Sequence, residues 1–279
     1  MKFADLHLHT HFSDGTFSPE QLVLEAQKNG LCCIALTDHD SVEGCARAAA
    51  ACADVGMEFI PGTELTAEQG ETEVHLLGYF LDTNHAGFLR EIGHFQEVRT
   101  QRIHEMVSRI NALGVPLETQ MVFELANCRS PGRPHVARAM VKARLVRNLD
   151  EAFERFLKKG RPAWVPKSKM SASEAIKLVH EAGGLAVMAH PGLNRTDDIV
   201  PAMVEAGLDG IECLHSKHSK SQTAHYMEMA RHYSLVATGG SDCHGYSKIR
   251  PLIGSVRLPH EKVEIMKARL KERFHRVVP

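Results

Sequence analysis

The sequence of 279 residues predicts an α/β fold with parallel strands, organised as one large domain that carries an insert. Short apolar runs alternate with helical patterns along most of the chain, and polar residues recur where the apolar runs end. Alternating strands and helices are typical of parallel α/β folds, in which functional groups gather at the carboxyl ends of the strands. The pattern leaves open whether these strands form an open sheet or a barrel.

The elements can be taken in chain order. "FADLHLH" predicts the first strand, and a helix follows at "SPEQLVLEAQKNG", where Ser18 caps, Pro19 suits the first turn, Gln21 completes a capping box and Gly30 ends the helix. Six further strands are predicted at "LCCIALT", "MEFIPGTEL", "TEVHLLGYFLD", "LAVMAHP", "GIECL" and "LVATGGSD". Four further helices are predicted at "SVEGCARAAAACADVG", "SASEAIKLVHEAGG", "DDIVPAMVEAG" and "SQTAHYMEMARHY".

The middle of the chain breaks this alternation. From residue 86 to residue 160 the pattern is helical without a convincing strand, and "FLREIGHFQEVRTQRIHEMVSRINALG" predicts one long amphipathic helix. We therefore expect an α/β domain made of residues 1–85 and 161–279, interrupted by a helical insertion, or cap, at 86–160.

Bulk composition is that of an ordinary globular protein, with 43% hydrophobic and 24% charged residues. The net charge of −1 does not indicate a protein that coats nucleic acid or binds a membrane surface. A local phosphate-binding site is still compatible with it, because net charge does not report clusters of charge. Seven scattered cysteines indicate reduced thiols, and together with the lack of a long apolar run they favour a cytoplasmic protein. The unusual number is 18 histidines.

Many of these histidines, together with several carboxylates, sit at the ends of predicted strands. His75 differs because it lies inside a short strand. In chain order the set is His7, His9 and Asp14; Asp38, His39 and Asp40; Glu64; His75; His190; and Asp242 and His244.

A single histidine in such a place is more often a hydrogen-bonded core residue, and a lone HxH pair is more often two surface residues. Six or more repeats of the same placement argue for a shared site. Imidazole and carboxylate ligands without thiolates suit zinc, manganese or iron. The set exceeds the needs of one ion, so it predicts two or three divalent ions, which activate water and neutralise phosphate oxygens.

These motifs, in this order, resemble the PHP (polymerase and histidinol phosphatase) family of metal-dependent phosphoesterases. The resemblance covers about residues 2–253 and implies a distorted (β/α)7 barrel with a trinuclear metal site. It implies a first ion on His7, His9, Glu64 and Asp242, a second sharing Glu64 with His75 and His190, and a third on Asp14, His39 and His244. Glu64 and Asp242 are therefore expected to be catalytic as well as metal ligands. Asp38, which precedes His39, is expected to orient that ring.

Many family members have His where this chain has Asp14, but one subgroup carries Asp there. That subgroup also has a helical insert before "GRPHVAR", and its members resemble a 3′,5′-bisphosphate nucleotide phosphatase and a 5′-to-3′ exoribonuclease. The resemblance thus implies a phosphorylated nucleotide or short RNA as substrate, and neither duplex DNA nor a membrane as partner. The oligomeric state is not predicted.

Four residues outside the ligand set are candidates for binding substrate. Gly132 and Pro134 place Arg133 and His135 at a predicted helix N-terminus, where an anion is favoured, and Arg binds phosphate through two hydrogen bonds. "LHSKHS" follows a strand and offers Lys217 and His218, with His218 the preferred helper for the leaving oxygen. A plain helix start and a plain polar loop are the alternatives.

The sequence therefore predicts a hydrolase that cleaves nucleotide phosphate esters with a metal-activated hydroxide, acting on the 3′-phosphate of 3′,5′-bisphosphonucleosides or on 5′ ends of short RNA. Histidinol-phosphate phosphatase is the rival activity, although Asp14 and the insert count against it. A non-catalytic metal-binding regulatory module is the rival of another class, and against it every expected ligand position is filled.

Overall fold

The structure, a computed structural model, describes residues 2–166, 170–194, 197–247 and 250–277. Its strands form one twisted sheet in the order β8-β7-β6-β4-β3-β2-β1-β9, and β5 pairs with β3. The strands are β1 (Phe3–Asp5), β2 (Cys33–Leu36), β3 (Glu58–Gln69), β4 (Thr72–Tyr79), β5 (Met170–Ser171), β6 (Leu185–Met188), β7 (Gly210–His215), β8 (Val236–Gly240) and β9 (Leu258–Pro259).

The sheet curls until its first and eighth strands meet. The amide of Leu6 donates to the carbonyl of Gly239 at 3.1 Å, and Leu8 forms a parallel bridge with Cys243. Gly240 permits this contact, because a Cβ on that residue would lie 2.3 Å from the Cβ of His7. The seven predicted strands correspond to β1–β4 and β6–β8. Together they form the barrel that the family resemblance implied.

Among the seven barrel strands, β4 departs from the parallel pattern, and outside them the short β9 pairs antiparallel with β1. β3 and β4 form a hairpin, so β4 is antiparallel to both β3 and β6, whereas β1 with β2, β2 with β3, and β6 with β7 and β8 pair in parallel. This reversal explains why His75 lies inside its strand. In an antiparallel strand the early residues, not the last ones, reach the rim where the parallel strands end, and His75 pairs with Thr66 of β3.

Helices cover the outside of the barrel and make up the insertion. They are α1 (Pro19–Lys28), α2 (Cys45–Asp54), α3 (Ala86–Ala112), α4 (Thr119–Ala126), α5 (Arg133–Lys142), α6 (Leu149–Ala152), α7 (Ala172–Glu181), α8 (Pro191–Asn194), α9 (Val200–Glu205), α10 (Lys220–His232) and α11 (Glu261–Val277), with a π-helical turn at Phe153–Leu157. The capping box predicted for α1 is present. In the described part of the chain, no helix is long and apolar enough to cross a membrane.

The insertion has an apolar core of its own. All secondary-structure elements between residues 86 and 160 are helical. Together α3, α4, α5 and the π-helical turn bury one apolar cluster, which includes Ile103, Val122, Val136 and Phe156. This cluster is distinct from the two clusters of the barrel, although Phe88 and Ile92 at the start of α3 pack in a barrel cluster, and Ala163 and Val165 pack in the cluster of the insertion. These observations support our proposal that residues 86–160 form a separate helical cap.

Candidate metal centre

Glu64 is the hub of a buried group of imidazoles at the carboxyl rim of the barrel. Its Oε2 lies 3.2 Å from a ring nitrogen of each of three histidines, and its Oε1 lies 2.7 and 3.0 Å from two more. The first three are His7, His9 and His39, and the other two are His75 and His190. A carboxylate whose two oxygens face different ligand groups is well placed to bridge two ions.

Two further carboxylates extend the group. The Oδ1 of Asp242 lies 3.7 Å from His7 and 3.4 Å from His9, and 3.5 Å from Nδ1 of His244. The Oδ1 of Asp14 lies 3.1 Å from Nε2 of His244. All nine residues that the sequence predicted as metal ligands therefore lie in one contiguous cluster, although their roles as ligands remain a proposal.

The donor geometry fits divalent ions better than hydrogen bonding. Two ligand atoms on one ion, each about 2.1 Å from it, lie about 3.0–3.4 Å apart at octahedral or tetrahedral angles. Several neighbouring atoms here have that spacing, yet within the described ranges they have no hydrogen-bond partner although they are buried. They are Nε2 of His9, Oδ1 of Asp14 and Nδ1 of His39. One set of four side chains has its ligand atoms within 4.8 Å of one another, namely His9, Asp14, His39 and His244.

The imidazoles and carboxylates of the cluster change one another's pKa values. Burial by itself disfavours the ionised form of Glu64, but the facing imidazoles of His39 and His7 hold the pKa of this carboxyl well below its usual range. Burial lowers the pKa of His9, and its contacts with Asp242 and Glu64 outweigh that effect and raise the pKa to about 10. The carboxylates thus stay charged in the interior, where a cation is the partner that stabilises them.

Three residues at this rim have an unusual backbone conformation. Asp40, His190 and Asp242 have positive φ angles of 44°, 27° and 55°, which residues other than glycine rarely adopt. Such strain costs on the order of 1–3 kcal/mol per residue and persists where the surrounding structure fixes a side chain for function. Here it turns His190 and Asp242 toward Glu64 and His7.

Asp38 does not orient His39 as predicted. Its carboxylate accepts hydrogen bonds from the amide and hydroxyl of Thr10, at 2.7 and 2.5 Å, and from the hydroxyl of Ser13 at 2.6 Å. Both ring nitrogens of His39 face other carboxylates, those of Glu64 and Asp14. Asp38 therefore holds the loop that carries His9 and Asp14.

Glu212 was missed by the sequence reasoning. It is fully buried in β7, its Oε1 lies 3.0 Å from Nδ1 of His7, and its Oε2 accepts the amide of His190 at 2.7 Å. Such an acceptor fixes the ring orientation of a ligating histidine. A charged residue inside the apolar run "GIECL" was the available signal.

His215, not His218, belongs to the site. The Nδ1 of His218 donates to the carbonyl of Cys213 and its Nε2 accepts the amide of Gly192, so both ring nitrogens serve the backbone. By contrast, Nε2 of His215 is buried without a hydrogen-bond partner among the described residues and lies 3.6 Å from Asp242. β7 extends to His215, which places this ring at the rim. The geometry thus contradicts the preference for His218.

His135 is also structural. It is 1% exposed, and its Nδ1 accepts the amide of Gly132 at 3.0 Å, which closes the first turn of α5. Burial lowers the pKa of His135 to about 4, so the ring is neutral and is not a cationic phosphate ligand. The middle of α5 nevertheless contacts the loop that carries Asp14, because Arg138 donates to the carbonyl of Asp14 at 2.5 Å. Lys217 lies at the rim, 3.5 Å from Asp242.

Comparison with known proteins identifies the family. The family model of the PHP domain matches residues 5–158, which is more than half of the chain. This chain belongs to the PHP family. The expectation of a metal-dependent phosphoesterase, and hence of a hydrolase, is thereby confirmed.

Individual PHP relatives match over most of the chain. A 3′,5′-nucleoside bisphosphate phosphatase of Chromobacterium violaceum is 31% identical over 250 residues, which cover 86% of this chain and 86% of that protein. A 5′-3′ exoribonuclease of Haemophilus influenzae is 31% identical over 245 residues, covering 86% and 89%. Among solved structures, a protein from Bifidobacterium adolescentis described as a metal-dependent phosphoesterase has a TM-score of 0.89 at 32% identity, with 96% of both chains covered.

Proposed function

We propose that this protein hydrolyses a phosphate ester of a nucleotide that carries a second phosphate. The ester is the 3′-phosphate of a 3′,5′-bisphosphonucleoside or a phosphate ester at the 5′ end of a short RNA. The observation that carries the proposal is the sharing of Glu64 by five imidazoles, with Asp14 and Asp242 beside them. The similarity to a bisphosphate phosphatase and to an exoribonuclease supports this substrate class.

The residues would divide the work as follows. The cluster around Glu64 would hold two or three divalent ions, which when bound lower the pKa of water and neutralise phosphate oxygens. Glu212 fixes the ring of His7, so that Nε2 of His7 faces Glu64 and would be free to hold an ion. Lys217 lies at the rim beside Asp242, where its ammonium group reaches the phosphate oxygens.

His215 supplies a hydrogen-bond donor at the same rim. Its Nδ1 accepts the amide of Lys217 at 3.2 Å, so the neutral ring carries its proton on Nε2. That proton points toward Asp242 and the substrate side. The donor is in place to bind an oxygen of the phosphate that is cleaved.

The test measures hydrolysis by the purified chain after chelation and reloading with Mn²⁺, Fe²⁺ or Zn²⁺, as phosphate release from the monoesters and as mononucleotide release from the RNA. The substrates are adenosine 3′,5′-bisphosphate, adenosine 5′-monophosphate, a 5′-phosphorylated RNA oligomer, histidinol phosphate and an aryl phosphate. We expect metal-dependent turnover with the highest kcat/KM on the bisphosphate or the RNA. Equal kcat/KM for the bisphosphate and the monophosphate would refute the two-phosphate substrate. Preference for histidinol phosphate would favour that rival, and lack of turnover of every ester would favour a non-catalytic module.

A further inference from the structure

A contiguous segment at the end of the insertion is strongly basic. Residues 142–161 contain seven Lys or Arg and three Asp or Glu, a net charge of +4, whereas the whole chain contains 33 and 34. The other parts of the chain are therefore acidic on balance. A local excess of cations in a chain without net positive charge favours a polyanionic partner for that surface.

The carboxylates of this segment are too few to neutralise its cations. Asp150 is exposed, and each of the other two faces two cationic side chains at 2.7–3.6 Å. The two groups are Arg147 and Arg155 on Glu151, and Lys158 and Arg161 on Glu154. These four cationic side chains are 50–87% exposed. Because Glu151 and Glu154 lie three residues apart in helical chain, the two groups are neighbours and form one continuous patch.

A groove at the edge of this patch combines charged and apolar side chains. It has a volume of about 420 Å³. Its lining consists of the apolar Val141, Leu145 and Val146 and the charged Arg144, Arg147 and Glu151. Guanidinium groups bind phosphate oxygens through paired hydrogen bonds, and apolar side chains accept the face of a base. The groove therefore offers both contacts that a nucleotide unit of a strand needs.

Arg144 occupies a position that other helices of this chain give to glycine. It follows α5 with a φ of 59°, its amide donates to the carbonyl of Val141 at 3.0 Å, and the amide of Leu145 donates to that of Met140 at 2.9 Å. This is the Schellman ending of a helix, in which glycine is usual. At the same position α10 has Ser234, and five of the described helices have glycine. The glycines are Gly30, Gly56, Gly114, Gly183 and Gly207.

The side chain at this strained position is available to a partner. Arg144 is exposed, and within the described ranges no carboxylate oxygen lies within 4.0 Å of its guanidinium group. The left-handed conformation strains a residue that has a Cβ, and such strain is found where a side chain has a function. Because glycine would end the helix without strain, the guanidinium group accounts for the arginine better than the turn does.

Helix α5 connects this surface to the metal centre. The helix begins at Arg133, and Arg138 in its middle donates to the carbonyl of Asp14, a candidate metal ligand. Arg144 follows Arg138 by six residues, which is about 9 Å along the axis at 1.5 Å per residue. Successive nucleotides of a strand are at least about 3.4 Å apart. A strand whose 5′ end lies at the metal centre therefore reaches Arg144 within a few nucleotides.

A membrane surface fits this segment less well than a nucleic-acid strand. Among the described residues, the large apolar side chains that are well exposed all lie outside 142–161. They are Leu24, Leu89, Leu113, Leu193, Tyr246 and Ile265. A segment that lies on a membrane buries such side chains in the lipid in addition to its cationic contacts. Charge without exposed large apolar groups is typical of contact with a phosphate backbone.

From these observations we propose that residues 142–161 form a docking surface for the backbone of single-stranded RNA, here called the basic cap surface, with Arg144 and Arg147 at its groove. The inference rests on the proposed function and concerns the part of an RNA substrate that lies beyond its 5′ end. A bisphosphonucleoside at the metal centre is too short to reach this surface. Its contacts therefore add to the affinity for RNA alone.

The first arm of the test measures binding by fluorescence anisotropy to the full chain after chelation, so that cleavage plays no part. The probes are 5′-phosphorylated oligouridines of about 12 nucleotides and of about two nucleotides. We expect the long probe to bind at least about 10-fold more tightly at low salt. Its affinity should fall with salt with a logarithmic slope of about −2, as three phosphate contacts predict. Equal binding of the two probes would overturn the proposal.

Arg144→Gly separates binding from stability. This variant removes the guanidinium group and relieves the positive φ, so its melting temperature should equal or exceed that of the wild type. Its preference for the long probe should nevertheless fall, and its salt slope should become shallower by about 0.7. Arg147→Gln, at a side chain that is 87% exposed, should have the same effect on binding. An unchanged preference in both variants would overturn the proposal.

Two matched controls come from α10. Ser234→Gly changes the same helix-ending position without removing a charge. Arg231→Gln removes an exposed charge in the last turn of α10, which leads to the start of β8 at the opposite end of the barrel. Both should keep the wild-type preference and salt slope. An equal loss in Arg231→Gln would reduce the effect to net charge and overturn the surface.

Anionic vesicles test the competing class of partner. The probe is a vesicle of phosphatidylglycerol and phosphatidylcholine, and we expect the wild-type chain to bind it no more tightly than the Arg144→Gly variant does. Vesicle binding that depends on Arg144, without a preference for the long RNA, would overturn the proposal in favour of a membrane partner.

The second arm measures kcat and KM of the metal-loaded enzyme on the long RNA and on adenosine 3′,5′-bisphosphate. In the double variant Arg144→Gly with Arg147→Gln, KM for the RNA should rise at least about 10-fold with kcat unchanged, and both constants for the bisphosphate should stay the same. An equal loss on both substrates would overturn the proposal. Absent turnover of every ester with an intact length preference would sink the proposed function and leave the surface standing. Turnover of the bisphosphate without a length preference would do the reverse.

Discussion

At the scale of single residues, the cluster is organised by one carboxylate. Both oxygens of Glu64 are used, Oε2 by three imidazoles and Oε1 by two, and the residue is 1% exposed. No other carboxylate of the described cluster faces so many rings. Its charge is therefore the single feature on which the metal-binding proposal depends most.

Glu64→Gln should lower both metal content and activity. Changes to the outer partners of metal ligands already cost about 10- to 100-fold, so loss of a bridging ligand should cost at least about 100-fold in kcat/KM. The fold should survive, because the barrel core is apolar. Elemental analysis and phosphate release are the measurements. Glu68→Gln, on the same strand but outside the cluster, is the control, and full occupancy in Glu64→Gln would show that Glu64 is not a ligand.

His135 gives a prediction about pH. Its pKa is about 4 in the folded chain and 6.5 in the unfolded chain, so the unfolded chain binds the proton more readily. The stability that the neutral ring contributes is complete above pH 6.5 and is lost as pH falls toward 4. Between pH 7 and pH 5 the loss is about 2 kcal/mol.

His135→Gln should abolish that loss, because Gln keeps an acceptor for the amide of Gly132 without titrating. Urea unfolding of both proteins in chelator at pH 7 and pH 5 measures the difference, since other titrating groups are common to the two. Parallel losses in the two proteins would contradict the assignment.

At the scale of elements, the insertion is tied to the barrel by polar contacts from α3. Arg99 pairs with the carboxylate of Asp40, and Gln96 donates to the carbonyl of the same residue at 3.1 Å. Asp40 in turn follows His39, so one helix of the insertion fixes a loop that carries a candidate ligand. The middle of α5 does the same for the loop of Asp14 through Arg138.

Arg99→Met should destabilise the protein by about 3–5 kcal/mol, because it leaves the carboxylate of Asp40 buried without its partner. Asp40→Asn combined with Arg99→Met should restore part of that loss, and Asn tolerates the positive φ of 44° at this position. Urea unfolding of the two single variants, the double variant and the wild type completes the cycle. Losses that simply add would mean that the pair contributes no coupling.

At the scale of the whole molecule, metal binding and stability are linked. The candidate ligands come from most strands of the barrel, from β1 at one end of the chain to β8 near the other, so ions bound there would connect distant segments. A ligand that binds only the folded chain stabilises it in proportion to the logarithm of its concentration over Kd, about 2.7 kcal/mol at 100 times Kd.

Chelation should therefore lower the melting temperature by roughly 5–10 °C, since about 1 kcal/mol corresponds to 2–4 °C in proteins of similar size. Differential scanning calorimetry with chelator, and again after Mn²⁺ or Zn²⁺ is restored, measures the shift. Glu64→Gln should show a smaller shift than the wild type. The same shift in both proteins would place the stabilising ions elsewhere.

The residue types of the candidate metal centre, their order and the α/β class could be predicted from the sequence alone. His7 and His9 alternate along one predicted strand, and Asp14, His39, Glu64, His190 and Asp242 lie at or just past the ends of predicted strands, so local periodicity predicted one shared rim. In the structure β3 continues beyond Glu64 to Gln69. Spacing within a strand is a local property of the sequence. Because the carboxyl ends of parallel strands lie at the same rim of a barrel, this spacing was enough to predict a shared site.

Only the tertiary structure decided the contacts between segments far apart in the chain. It reversed β4, which brought His75 to Glu64, and it chose His215 over His218 by where β7 ends. It also paired Arg99 with Asp40, which ties α3 to the loop that follows His39. These outcomes depend on how the barrel closes and on where α3 and α5 pack against it, because burial and partner choice are set by neighbours that no local pattern specifies.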